Sequence, residues 1–185
     1  MTLDAALPRI KLFARCVHPS HNYVNHVVPV VHAANTLARI YPCQRDVVEA
    51  GAYMHDVGRV LLGGRKHHIT GQYITNLVLY NVDKRTDVSQ CVRYHQDARH
   101  APTKEAEIVA NADALAVLLT PLYLWGIHFS HKKDARHTTR WLMDKYDRDF
   151  REKLTLDHAK EIATQQYQHI THLLEVQQQW SACSL

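Results

Sequence analysis

The sequence predicts an all-α protein because of the spacing of its apolar residues and the scarcity of helix-breaking residues. Apolar residues recur at intervals of three and four rather than two, which is the periodicity of one helix face. The 185 residues contain only six glycines and six prolines, so few positions interrupt a helix. We therefore expect a helical bundle with almost no sheet.

Two helices are predicted in the first third of the chain. An apolar stripe runs over residues 23–41, and Pro42 closes it. A second helix is expected over about 45–57, and Gly58 would end it as glycine commonly does at a helix C-terminus. The pair His55-Asp56 is therefore predicted to lie at a helix end.

The helical spacing resumes after a short basic loop at residues 63–66. Helices are predicted over about 69–78 and 87–95. No linker or internal repeat separates these stretches from the rest of the chain. We therefore expect one domain over residues 1–185, a usual length for a single core.

The last predicted helices occupy the remainder of the chain. Thr103 is a suitable N-cap for a helix that carries Asp113 and ends before Pro121. Two further helical patterns lie at about 132–149 and 155–180. We expect this C-terminal third to shape the mouth of a pocket or to form a contact in a homo-oligomer.

The composition is that of a globular protein, with 46% apolar and 22% charged residues. No apolar run approaches the roughly 20 residues that cross a bilayer, and Asp4, Pro8 and Arg9 do not fit a secretory signal. We therefore expect a cytoplasmic protein with no membrane partner. The four cysteines show no C-x-x-C spacing, which argues against a zinc knuckle or a redox motif.

The charge is mildly positive, at +4 from 22 basic and 18 acidic side chains. That excess favours an anionic ligand but is too small to mark a nucleic-acid binder. Basic residues at 131–133 and 145–153 are interrupted by acidic ones or lack aromatic neighbours, so we expect a solvated face there. Nucleic acid is therefore not the expected partner.

Histidine is the unusual residue, with fifteen copies, and a few of them have the context of a metal site. A hydrolytic metal site needs neutral imidazoles and ionised carboxylates that converge from separate helices. His26, the pair His55-Asp56 and Asp113 can supply this set. The alternatives are a buried core histidine at 26 and a helix C-cap at 55–56. Asp113 has the weakest alternative, because a carboxylate on an apolar helix stripe is costly to bury without a cation or donors.

Four segments in the same order resemble the motifs of the HD-domain superfamily of metal-dependent phosphohydrolases. The segments are His26-Val-Val-Pro-Val30, Ala52-Tyr-Met-His55-Asp56-Val-Gly58-Arg59, His67-x3-Gly71 and the stretch from Glu105 to Leu115 that contains Asp113. The resemblance spans about residues 22–118 and implies an HD-domain helical bundle, followed by additional C-terminal helices at about 121–180. The chain departs from many relatives at Pro29, Asn111 and Ala116.

The resemblance also implies a ligand set for one or two divalent ions. The first ion would be held by His26, His55, Asp56 and Asp113. His67 and His95 would add a second ion, with Asp56 as the bridge. Spacing alone leaves His68 as an alternative to His67 and His100 as an alternative to His95. Mixed imidazole and carboxylate ligands suit manganese, iron, cobalt, nickel or zinc.

The activity that the resemblance implies is hydrolysis of a phosphate ester or phosphoanhydride, with nucleotides among the candidate substrates. Asp56 would be central to catalysis, and Arg59 and Lys66 would steady the anion. The alternative for Arg59, Arg65 and Lys66 is that they keep a loop soluble. Two other functions fit the same fold: a di-iron oxygenase that uses the same six ligands, and a non-catalytic regulatory domain that binds metal or ligand.

Overall fold

The fold is described by a computed structural model over residues 1–120 and 135–183. The all-α prediction is confirmed, because these residues form helices and turns and no β-strand. The helices are α1 Leu3–Val17, α2 Ser20–Asn22, α3 Val28–Leu37, α4 Arg45–Met54, α5 Val57–Leu62, α6 His67–Val78, α7 Arg85–Tyr94, α8 Lys104–Leu119, α9 Ala135–Arg148 and α10 Asp157–Cys183. Two π-helical segments, Tyr23–Val27 and Asp149–Lys153, precede α3 and follow α9, and a 3-10 turn covers Ala98–His100.

Helix α1 is an element that the sequence analysis did not predict. Its buried residues recur every three or four positions, at Leu3, Ala6, Ile10 and Ala14, and face α4. Pro8 lies inside the helix, where it removes only one backbone hydrogen bond near the N-terminus. Because of this proline, the sequence analysis did not recognise an apolar stripe that is buried in the core.

The helix predicted over 23–41 is displaced towards the N-terminus. It begins at Ser20 and ends at Leu37, four residues before Tyr41. A turn follows the helix, and Pro42 lies after that turn. Its centre widens into the π-helical segment Tyr23–Val27. A π turn of this kind is frequent at functional sites, and His26 lies in it.

The sequence predicted that Gly58 would end α4, and this prediction is wrong. Helix α4 ends at Met54, and Gly58 lies in the first turn of α5. A Cβ at this position would lie 2.1 Å from the carbonyl oxygen of His67 and 2.4 Å from the backbone nitrogen of Gly71. Glycine is therefore needed because the backbones of α5 and α6 touch, a requirement that periodicity does not reveal.

Helix α8 is the centre of the bundle and is buried along most of its length. It packs against α3, α4 and α7, and α6 packs against both α5 and α7. The predicted cap is confirmed, because the Thr103 hydroxyl accepts a hydrogen bond from the backbone N–H of Ala106 at 3.2 Å. This core fixes the directions from which side chains reach the site.

The C-terminal helices dock onto the same central helix. Helices α9 and α10 pack together, and α10 and the π-helical segment after α9 also contact α8. The side-chain oxygen of Asn111 accepts hydrogen bonds from the backbone N–H groups of Thr155 at 2.8 Å and Leu156 at 3.0 Å. One of the three departures from the family pattern thus has a structural role, which is to tie the start of α10 to α8.

Within residues 1–120 and 135–183, no helix combines the length and the apolar character that crossing a membrane requires. The basic run at residues 131–133 lies outside the described residues. The interpretation of that run as a solvated face therefore stays a prediction.

Candidate metal centre

Six side chains converge where the ends of several helices meet α8. His26 comes from the π-helical segment before α3, and His55-Asp56 form the turn between α4 and α5. His67 opens α6, His95 follows α7 and Asp113 lies within α8. The residues form two groups in which the potential ligand atoms lie within 4.8 Å of one another: His26, His55 and Asp113, and Asp56, His67 and His95.

Asp56 is placed between the two histidine pairs. Its Oδ1 lies 3.1 Å from Nε2 of His67 and 3.7 Å from Nε2 of His95. Its Oδ2 lies 3.6 Å from Nε2 of His26 and 3.9 Å from Nε2 of His55. Each carboxylate oxygen therefore faces a different pair of imidazoles.

Three of the imidazoles are oriented by the main chain. His55, His67 and His95 each place Nδ1 near the carbonyl oxygen three residues earlier, at 2.8, 3.3 and 2.7 Å respectively. A carbonyl can only accept, so Nδ1 carries the proton and Nε2 presents a lone pair to the cluster. This arrangement orients histidine ligands in metal proteins and fixes their tautomer.

The facing nitrogens fit a bound cation. Nε2 of His67 lies 3.2 Å from Nε2 of His95, and Nε2 of His26 lies 3.1 Å from Nε2 of His55. In the His67 and His95 pair both Nδ1 atoms are donors, so two lone pairs point at each other when the rings are neutral. The donor set of imidazoles and carboxylates fits a divalent ion, which would satisfy these lone pairs, but it does not select the metal.

The buried carboxylates of the cluster stay ionised. Burial opposes ionisation of Asp56, but the neighbouring imidazoles of His26 and His67 outweigh it and hold its pKa below the usual value. Burial also opposes ionisation of Asp113, and the ammonium of Lys153 together with His26 lowers its pKa instead. Two ionised carboxylates in a buried site call for positive charge close by.

The buried histidines are held neutral. Burial, with the adjacent ring of His55, lowers the pKa of His95 to about 3. Burial likewise lowers the pKa of His55. The half-buried His26 differs, because burial is outweighed by Asp56 and Asp113 and its pKa rises. Neutral imidazoles beside ionised carboxylates are the protonation states that metal binding requires.

Comparison with known proteins shows the family to which the chain belongs. The family model described as HD domain matches residues 23–118, more than half of the chain. The chain belongs to the HD-domain family. All six clustered side chains lie within the HD domain so matched, and the family resemblance inferred from the sequence is confirmed.

The chain is also similar to part of a curated protein. A protein from Picrophilus torridus named tRNA (cytidine(56)-2'-O)-methyltransferase is 30% identical over 140 residues. The alignment covers 67% of this chain and 36% of that protein, so the chain spans about a third of the relative's length. No solved structure matches.

The structure separates the histidines that spacing left as alternatives. His67 and His95 belong to the cluster of the HD domain, whereas His68 and His100 belong to neither group. His100 is exposed, and its ring lies 2.9 Å from the carboxylate of Asp97. The first residue of each pair therefore faces inward, a direction that depends on helix rotation rather than spacing.

A cavity of about 460 Å³ opens over the HD-domain cluster. Arg59 lines it, with Nη1 at 3.4 Å from Oδ2 of Asp56, although 58% of its side chain is exposed. Lys66 lies exposed just before α6 and is not among the residues that line this cavity. The structure thus brings one of the two expected basic residues to the site.

Three other cations line the same cavity, and they come from outside the HD-domain match: Lys145, Arg148 and Lys153. The expectation of a solvated face over residues 145–153 is wrong for the two lysines, whose side chains are 19% and 15% exposed. Both are paired with Asp149, which is fully buried. The acidic residue that suggested a solvated face is their buried counter-ion. The available signal was the spacing of four between Lys145, Asp149 and Lys153, which places them on one helix face.

Proposed function

We propose that the chain is a divalent-metal-dependent phosphohydrolase that acts on a phosphate ester or phosphoanhydride. The observation that carries this proposal is the position of Asp56, whose two oxygens face different histidine pairs. A carboxylate placed in this way can bridge two ions, and paired ions are a common device for displacement at phosphorus.

Within this proposal, His26, His55, Asp56 and Asp113 would hold one ion, and His67 and His95 would hold a second with Asp56 shared. When bound, the ions would polarise the phosphoryl oxygen and lower the pKa of a water molecule. The chain's own contribution is orientation. The carbonyl oxygens that accept from Nδ1 keep the imidazoles of His55 and His95 aimed at the cluster, and burial keeps these two rings neutral.

The charge of the cavity supports an anionic substrate. Four cationic side chains line it: Arg59, Lys145, Arg148 and Lys153. Trp141 also lines the cavity with half of its surface exposed, which offers an aromatic face for a planar group. These features support a small phosphorylated substrate and keep nucleotides among the candidates.

Two rival functions share the same ligands. A di-iron oxygenase would need both His67 and His95 in the cluster, and both lie there. A non-catalytic regulatory domain would keep the ligands without turnover. Methyl transfer is not proposed, because the chain spans 36% of the methyltransferase that it resembles. The tRNA in that relative's name is nevertheless a reason to include terminal phosphates of RNA in a substrate screen.

The test is a substrate screen on protein that is stripped of metal and reloaded with Mn²⁺, Fe²⁺, Co²⁺, Ni²⁺ or Zn²⁺ in turn. Phosphate release from nucleotides and simple phosphate monoesters is measured without oxygen. We expect release that depends on the added metal and disappears with chelator. Turnover that requires iron and oxygen, without phosphate release, would establish the oxygenase instead. Full metal content with no turnover on any substrate would favour the regulatory domain.

A further inference from the structure

We propose that Lys145, Arg148 and Lys153 form an anion-binding subsite that holds a substrate phosphate against the metal centre. These three residues are termed the C-terminal basic wall. They lie on α9 and the following π-helical segment, beyond the residues 23–118 of the HD-domain match. The inference rests on the proposed function, because that function supplies the phosphate. It assigns substrate recognition to a part of the chain that the family match does not cover.

The wall faces the cluster across one cavity. All three side chains line the cavity of about 460 Å³ that also contains His26, Asp56 and Asp113. Nζ of Lys153 lies 3.6 Å from Oδ2 of Asp113, so the wall begins at the edge of the cluster. An anion held by the wall therefore lies beside the ions that the cluster would bind.

Asp149 is the buried counter-ion that positions the wall. Its carboxylate is fully buried, pairs with Lys145 and lies 3.5 Å from Nζ of Lys153. Nε of Arg148 lies 3.8 Å from the same carboxylate. One carboxylate thus holds three cations, and charge pairing within the wall leaves an excess of positive charge. A set of partly buried cations with this excess gains from binding an anion.

A second cavity leaves room for the rest of a phosphate ester. It has a volume of about 500 Å³ and shares Gln96, Arg148 and Lys153 with the first. The wall therefore stands at the junction of two cavities. A phosphate bound there can contact the cluster on one side while its organic group extends along the other.

The test measures binding of inorganic phosphate to protein loaded with Mn²⁺. Calorimetry gives the affinity, and ³¹P relaxation reports how close the phosphate lies to the ion. The variants are Arg148→Gln and Lys145→Gln. We expect each to weaken phosphate binding by about ten- to a hundredfold, the range for loss of one charged hydrogen bond. Lys145→Arg should recover most of the affinity, and manganese content should be unchanged in all three.

The matched control is Arg151→Gln, which removes one positive charge from the same segment. Arg151 is paired with Asp147 on the surface, does not line either cavity and is 69% exposed. Phosphate affinity of this variant should stay within about twofold, because a surface charge acts only weakly across solvent. An equal loss in the control and in Arg148→Gln would show a general charge effect and overturn the subsite.

The inference and the proposed function fail in different ways. Wild-type affinity in both wall variants, or no phosphate binding by the wild type, would refute the subsite even if phosphate esters are hydrolysed. Phosphate binding that depends on the wall, without hydrolysis of any ester, would refute the phosphohydrolase and leave the subsite standing. If Lys145→Gln fails to fold, Arg148→Gln decides, because that side chain is 51% exposed and little of it is packed.

Discussion

The HD-domain core and the C-terminal helices line the same cavity, but they differ in how the sequence specifies their contribution. The core brings six ligand-type side chains from five separate elements to one cluster. The C-terminal helices bring three cations from one continuous stretch, residues 145–153. Metal chemistry restricts the residue types of the first set, and the pattern of the HD-domain family gives their order. The second set has the composition of an ordinary solvated face, and its sequence signal is limited to the spacing of four between Lys145, Asp149 and Lys153.

The largest expected effect is that of Asp56→Asn in the core. The change keeps the shape of the side chain but removes the charge that faces both histidine pairs. We expect metal content to fall from about two ions to less than one, and phosphohydrolase activity to fall to background while circular dichroism remains helical. Asp147→Asn, which changes an exposed carboxylate that is paired with Arg151 and lines neither cavity, is the control and should retain both. Full metal content in Asp56→Asn would remove this residue from the ligand set.

The next effect concerns the C-terminal region, where Asp149→Asn should destabilise the fold. Lys145 and Lys153 would lose their buried counter-ion, and breaking a buried pair from one side costs about 3–5 kcal/mol. Urea unfolding measures this loss. Asp147→Asn, whose carboxylate pairs with Arg151 on the surface, should cost less than about 1 kcal/mol. Equal losses would mean that the buried pairing around Asp149 has no special role, and the contrast between the two regions would weaken.

The buried histidines of the core should make the stability of the fold depend on pH. Burial lowers the pKa of His55, and that of His95 to about 3, against about 6.5 for an unfolded histidine. Groups with a depressed pKa stabilise the fold above the unfolded value, and this contribution is lost as the pH falls from about 6.5 towards 3. Metal adds stability only while the histidine ligands are neutral. This gain is about 2.7 kcal/mol when the metal concentration is a hundred times its dissociation constant.

We therefore expect the melting temperature to rise with metal at pH 8 and to gain little from metal at pH 5. Thermal unfolding with and without chelator at the two values is the measurement. The wall variant Arg148→Gln should show the same pH dependence as the wild type. An unchanged melting temperature after chelation at pH 8, in protein shown to contain metal, would uncouple the cluster from the fold.

The smallest effect separates the two halves of the cluster. His67→Ala or His95→Ala should lower metal stoichiometry from about two to about one, because each belongs only to the second ion in the proposed arrangement. His68→Ala is a matched control, since its ring lies outside both groups although it adjoins His67. Elemental analysis distinguishes the outcomes. A wild-type stoichiometry of one would reassign His67 and His95 to other roles.

Much of the fold was predictable because helix signals are local. The cap at Thr103 follows from hydrogen bonds within one turn. His55-Asp56 also lie at a helix end as predicted, and that prediction rested on Gly58 as the helix terminator. Gly58 shows the limit. Local rules predicted that Gly58 would end a helix. A glycine is needed there instead because the carbonyl oxygen of His67, on the next helix, leaves no room for a Cβ.

The site residues also divide into those that the sequence indicates and those that depend on packing between helices. Ligand-type residues could be named from sequence because they stand in family-like motifs, whereas the direction of His67 rather than His68 depends on the rotation of α6 against α7. Lys66 was expected beside the anion because it is basic and near a motif, yet it lies exposed away from the cavity. Lys145 was passed over because its buried partner, Asp149, resembles a surface acid in sequence.

The backbone contact at Gly58 has a consequence for how the cluster captures ions. Asp56 lies two residues before this contact, and His67 supplies the carbonyl oxygen that it meets. The separation of these two ligands is therefore set by main chain packed on main chain rather than by long side chains with many rotamers. The conformational entropy of bringing them together is lost when the chain folds, not when an ion arrives. Ion binding at the cluster would then require little rearrangement of these two side chains.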